Sequence, residues 1–349
     1  MTMRRDLLAA LLALVVALVV LFPVRAFAGR GDKVGSSSGT QLLIPVGARS
    51  VGLGSSTIAT VAGSEAIYWN PAGLARAERG AGIFVSHMAY VADITVDYLA
   101  LSTRMAGLGD VALAVKSLSI GKIPVTTEDQ PDGTGETTSP TFMVIGGTFS
   151  RRMSDQIAIG VTANLLIEKM GEVSANGISF TGGIQYLGLG GVEGLDFGVA
   201  VRNVGPQVKY EGDGLLRSGQ LTDITRPDAL YKVEAASADL PSTIEIGLGY
   251  TRHLSDWSQA TFTGMFQNNN FADDEYRFGL EYAYRDLLFI RGGFALSSAT
   301  GGDQEYVYGA SAGAGVKTTL QGVLISVDYG YREVKYLRGN HVFTVSFGL

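Results

Sequence analysis

The chain has 349 residues, among them 47 glycines, 15 tyrosines, three histidines and no cysteine. Its formal charge is −6, and residues 1–28 carry Arg4, Arg5, Arg25 and Asp6, a net +2, which leaves −8 on the remainder. So acidic a chain is a poor nucleic-acid binder, and the lack of cysteine excludes disulfides, thiol catalysis, thiolate metal sites and an acylated lipoprotein anchor.

The first segment reads as a leader. Arg4 and Arg5 form a basic start, Leu7 to Val24 is nearly all apolar, and Ala26-Phe27-Ala28 fits small-x-small cleavage before Gly29. Residues 1–28 are therefore expected to be a signal peptide cleaved near Ala28/Gly29; an uncleaved anchor is the alternative that the length of the run allows. Residues 29–39 are a Gly/Ser-rich linker. Within it Gly35-Ser36-Ser37-Ser38-Gly39 matches the hydrolase elbow formally, but the strand before and the helix after that the elbow requires are missing.

Residues 40–79 form the next unit, centred on Trp69-Asn70-Pro71-Ala72-Gly73-Leu74-Ala75. Asn70 is suited to cap a helix with its side-chain oxygen, and Pro71 fits the first helical position because no N–H partner is needed there. Gly73 shortens that helix from within, and Gly80 and Gly82 end it. The segment reads as a plug, and the remainder of the chain as a wall around it.

From Gly80 to Leu349 the hydrophobic period is two. Strands are expected near 80–90, 94–104, 109–121, 140–150, 156–169, 175–187, 193–205, 241–252, 257–269, 274–286, 287–297, 305–318, 321–331 and 340–349. The clearest sets Tyr276, Phe278, Leu280, Tyr282 and Tyr284 against Arg277, Gly279, Glu281, Ala283 and Arg285. Each strand thus has a lipid-compatible face and a wet or small one. Even-numbered connections are short and the odd ones include the long 122–139 and 206–240, the outer-membrane pattern of periplasmic turns and outer loops. The expected fold is all-β: a transmembrane barrel of about 14 antiparallel strands, residues 80–349, with the plug in its lumen. A secreted sandwich is the alternative, but it would have to protect the edges of its sheets.

Three motifs resemble known outer-membrane proteins. Asn70 to Ala75 resembles the signature near the start of FadL-type transporters and of their relatives in the PorV/PorQ family. Gly47-Ala48-Arg49-Ser50-Val51-Gly52-Leu53-Gly54 is similar to the segment that opens PorV/PorQ chains, with Leu53 where Met is usual, and Glu65 stands where the family has an acidic pair. The resemblance runs from about Gly39 to Leu349 and implies a barrel of some fourteen strands with its N-terminal segment folded inside. Phe343, Val345, Phe347 and Leu349 resemble the last-strand signal read by the barrel-assembly machinery, although the final residue there is usually aromatic.

The sequence is poor in chemistry. His87, His253 and His341 lie at distant strand ends with no metal-ligand spacing, and His253-Leu254-Ser255 has no third catalytic member. Asp129, Asp132 and Glu136 stand in a loop whose spacing matches no known calcium motif. No cofactor motif is present, and the chain reads as non-enzymatic. Arg202, Glu245, Arg277, Glu281, Arg285, Arg291 and Asp328, with Asp196, are expected to point into the lumen. There they either brace the plug as paired wall charges or line a pathway.

The resemblance implies two functions. One is a component of protein secretion or surface attachment, of the type IX kind, binding exported cargo protein or other secretion components. The other is FadL-like passage of hydrophobic small molecules across the outer membrane. Both place the protein in outer-membrane lipid, with no nucleic acid involved.

Overall fold

The computed structural model describes residues 37–219, 229–298 and 306–349. The leader, most of the linker, and Leu221 and Ile224 in the long loop lie outside the described residues. Fourteen strands build one sheet: β1 (Ala81–Ala89), β2 (Thr95–Met105), β3 (Gly109–Ser119), β4 (Thr141–Arg152), β5 (Ile157–Met170), β6 (Val173–Tyr186), β7 (Leu195–Val204), β8 (Thr243–Ser255), β9 (Ser258–Asn269), β10 (Glu275–Tyr284), β11 (Leu288–Ser297), β12 (Tyr308–Leu320), β13 (Val323–Val334) and β14 (Asn340–Gly348). Each pairs antiparallel with its sequence neighbours, and β1 pairs with β14, so the sheet closes on itself. Closure leaves no free edge strand, as a sheet that crosses hydrocarbon requires, although β7 stops at Val204 opposite Phe180 and the top of β6 pairs instead with Glu211–Gly212.

Alternation explains the two faces. In β10 the side chains of Phe278, Leu280 and Tyr282 are exposed outward, whereas Gly279, Glu281 and Ala283 are buried. The same outward set recurs around the wall, with Leu113, Phe149, Ile184, Leu248, Phe262, Ile290 and Phe343 all exposed. A belt that apolar would aggregate in water and is solvated in a bilayer. Trp257 stacks edge-on to Tyr284 near one rim, and Tyr329 clusters with His341 and Phe343 toward the other, as aromatic girdles do.

Ala81 and Leu349 exchange backbone hydrogen bonds of 3.1 and 2.9 Å, so the barrel begins and ends at one rim, the lower one. Lower-rim turns are short, as at 256–257 and 321–322; the upper rim carries 120–140 and 205–242. The latter has structure that its irregular sequence does not announce. Val208 bridges to Ala238, Glu211–Gly212 pairs with the top of β6, and Leu216–Gly219 forms a hairpin with Ala229–Lys232.

The interior is filled by the N-terminal segment. Short helical turns at Thr40–Leu43, Ala48–Gly52, Gly63–Glu65, Ala66–Trp69 and Pro71–Arg76 bury Val51, Trp69 and Leu74, and the stretches that connect them bury Val46, Leu53, Ile58 and Val61. None is long enough to be stable alone, so the surrounding wall holds them.

Candidate functional site

The plug starts near the upper rim, crosses to β13, and then tracks the inner wall round to β5 and β4. What lets it lie so close is a series of inward glycines. A Cβ on Gly330 of β13 would stand 2.5 Å from the Ala48 carbonyl oxygen. On Gly293 of β11 it would stand 2.1 Å from the Gly54 nitrogen, and on Gly198 of β7 2.6 Å from the Ile58 oxygen. On Gly160 of β5 it would lie 2.3 Å from the Pro71 carbonyl carbon. Plug backbone therefore seats in notches that any side chain would fill.

Asn70 sits at the seam between β6 and β7. It is fully buried, and its Oδ1 accepts from the Ala72 N–H at 3.2 Å, which caps the Pro71–Arg76 turn. Its Nδ2 lies 2.9 Å from the Ile58 oxygen, 3.1 Å from that of Ile184 and 3.4 Å from that of Val199. Ile184 and Val199 face each other across the seam, so one amide touches both strands. Pro71 takes the first helical position, and Trp69 donates from Nε1 to the Val46 oxygen at 3.0 Å. Ala72 and Ala75 bind the two sides of the Ser150 hydroxyl on β4. Leu74 packs with Ile67, Phe84 and Tyr98. Gly73 proves to be more than a helix weakener: a Cβ there would stand 2.2 Å from the Val61 oxygen, within the plug itself.

The inward charges fall into pairs. Arg49, on the plug, makes two hydrogen bonds to Glu281, of 2.9 and 3.0 Å. Glu281 also accepts from Arg291 Nε at 2.6 Å, and Arg291 reaches Asp328 at 2.6 Å. Arg202 pairs with Glu245 at 2.9 Å beneath the Tyr68 ring, and Arg277 with Glu275 at 2.7 Å. Asp196 pairs with Arg76 of the plug at 3.3 Å. Arg285 departs from the expectation. β10 ends at Tyr284, and Arg285 and Asp286 both take positive φ, 53° and 50°, in an exposed lower turn. The strand's period stops there, so its inward face does not extend to Arg285.

Arg49, Glu65, Gln185 and Glu168 matter more than their sequence signal suggests. Gln185 donates to the Ile58 and Val61 oxygens, both at 2.9 Å, and Glu65 accepts from the Ser50 N–H at 3.1 Å. Lys116 is buried on β3 and donates to the Gln41 and Ile44 carbonyls, capping the first plug turn. For Lys116 and Gln185 the available clue was a long polar residue on an otherwise small inward face.

The plug separates two cavities. The lower, of 310 Å³, is lined by Arg49, Glu65, Glu281, Arg291 and Asp328. The upper, of 270 Å³, is lined by Tyr68, Trp69, Arg202, Glu245, Arg277 and Tyr308. Among the described residues no three carboxylate or imidazole groups converge as a metal site, Asp129, Asp132 and Glu136 included. His87 pairs with Asp97 and His341 with Tyr329, both on the outer face, and the Ser255 hydroxyl binds that of Ser258.

No curated protein sequence matches the chain. Its fold is similar to that of solved barrels. The Pseudomonas putida toluene transporter TodX is 12% identical, with 87% of this chain and 97% of that chain covered at a TM-score of 0.53. The CymD monoaromatic hydrocarbon channel is 14% identical, with the same coverage and a TM-score of 0.52. A Pseudomonas aeruginosa FadL homologue is 12% identical over 87% of this chain and 98% of that one, at 0.51. These likenesses show the fold, a closed barrel shared with those channels. Residues 30–225, more than half of the chain, match the family model described as Type IX secretion system protein PorV, and the chain belongs to that family.

Proposed function

We propose that this plugged outer-membrane barrel is a non-enzymatic component of type IX-like protein secretion that binds exported protein at its outer loops. The observation that carries the reading is the family match, which runs from the linker through the plug and β1–β7 into the long upper loop. The lumen supports it. Passage of an apolar molecule would have to displace backbone seated in glycine notches and strip ion pairs such as Arg49–Glu281 from their buried positions. Accessible contact surface lies instead above the wall, where Leu230 and Val233 are exposed beside Lys232 and Glu234.

In this reading the leader directs the chain to the periplasm, the last strand is read by the assembly machinery, and lipid surrounds the belt. Shortening 212–236 should abolish export or surface display of a cargo protein while leaving uptake of a long-chain fatty acid unchanged. The second reading, hydrophobic transport, is favoured by the fold of the hydrocarbon channels and by the aromatic lining of the upper cavity. Lost uptake with normal export would select it.

A further inference from the structure

The upper end of the plug and the long loop meet on one carboxylate. Glu168, near the top of β5, is 2% exposed. It accepts from Gln41 Nε2 at 2.8 Å, from the Tyr210 hydroxyl, and from Ser38 Oγ at 3.4 Å. Gln41 belongs to the plug, Ser38 to the end of the linker that leads into it, and Tyr210 to the loop. Burial, and then the hydrogen bond to Glu168, push the Tyr210 phenol above its usual range, so it stays protonated and donates. Among the described residues no cation pairs with Glu168, so these three neutral donors are what satisfy its buried oxygens. Removing one donor leaves a buried carboxyl oxygen short of a partner, which costs more than the net worth of an ordinary hydrogen bond.

Backbone and packing join the same two segments. The Ser38 N–H donates to the Asp239 oxygen at 3.0 Å, and Leu42 of the plug packs with Leu166, Val208 and Leu240. Val208 forms the bridge with Ala238, and Leu240 stands two residues beyond it, at the base of the loop. Among the described residues no hydrogen bond or packing cluster ties the Leu230 or Val233 side chain to the barrel, and both stand exposed, whereas the base of the loop is fastened to the plug.

We propose that the loop base and the upper end of the plug form one mechanical unit keyed by Glu168, so that a protein gripping the loop from outside loosens residues 38–44 inside the lumen. This rests on the loop being the docking surface for exported protein. A partner shifts such an equilibrium only by binding one arrangement better than the other, and the shared carboxylate is where that preference would be transmitted.

Hydrogen exchange of the full barrel in nanodiscs tests the coupling without any partner. Tyr210→Phe removes the hydroxyl and keeps the ring. Peptides covering 38–44 should then exchange about tenfold faster, with β10–β13 unchanged, the order expected for leaving one buried acceptor unsatisfied. Gln41→Ala should act in reverse, speeding exchange at 206–212. If neither substitution reaches the other segment, the unit does not exist. The absence of cysteine allows a second arm: Ser38→Cys with Asp239→Cys, joined by a short bismaleimide. The linked barrel should still bind an exported protein but no longer deliver it to the surface. Unchanged delivery would overturn the proposal. Failure of even the unmodified barrel to bind exported protein would instead overturn the functional reading, and the exchange data would stand apart from it.

Discussion

Gly292 and Gly293 are neighbours on β11, one facing lipid and one facing the plug, and they make a matched test of the notched wall. A Cβ on Gly292 meets nothing within 4 Å. On Gly293 it would lie 2.1 Å from the Gly54 nitrogen, 2.4 Å from the Leu53 carbonyl carbon and 2.7 Å from the Gly54 Cα. All three are backbone atoms, so relief requires plug and wall to separate by about 1.4 Å at the tightest contact, since a comfortable contact is about 3.5 Å. Overpacking of that kind costs about 1–3 kcal/mol, whereas a substitution in open space stays within about 0.5 kcal/mol. Gly292→Ala should therefore leave the denaturant midpoint in liposomes and the bilayer conductance unchanged. Gly293→Ala should lower the midpoint or, where the plug gives way before the wall, raise the conductance. Equal behaviour of the two variants in both assays would refute the idea that these glycines exist to seat the plug.

Asn70→Ala should loosen the plug while sparing the barrel. It removes a cap worth about 1 kcal/mol and strands buried carbonyls at a further cost of about 1–3 kcal/mol, read as faster exchange in 65–78 with heat-modifiability retained. Arg49→Ala should destabilise by about 1.5–3 kcal/mol, the range for hydrogen bonds to a charged group, because Glu281 keeps Arg291 as its partner. The double variant with Glu281→Ala should lose less than the sum of the single losses, as measured by a denaturant double-mutant cycle. N-terminal sequencing of the outer-membrane fraction should find Gly29 first; an intact Met1 in the inner membrane would contradict the reading of the leader.

Much of the wall was legible because lipid on one side and a packed lumen on the other impose the period of two on every strand. β10 and β13 show it in full, from Phe278 to Ala283 and from Val327 to Gly330. Asn70 and Pro71 were legible because capping is local, settled within two residues. The notches were not. Gly198, Gly293 and Gly330 look like any small inward residue until the path of the plug is known, and that path depends on contacts far apart in sequence. Arg285 was misplaced because alternation says nothing about where a strand stops. There the left-handed pair Arg285 and Asp286 ends it. The tie between Ser38, Glu168 and Tyr210 joins three segments with no shared pattern, and only the closed barrel brings them together.

The most direct test of the central claim is calorimetric titration of the purified, full-length barrel in nanodiscs with an exported protein of the same cell and, separately, with a long-chain fatty acid. The account predicts saturable binding of the protein that is lost when 212–236 is shortened, and no saturable binding of the fatty acid. Tight binding of the fatty acid by both forms, with none of the exported protein, would contradict it.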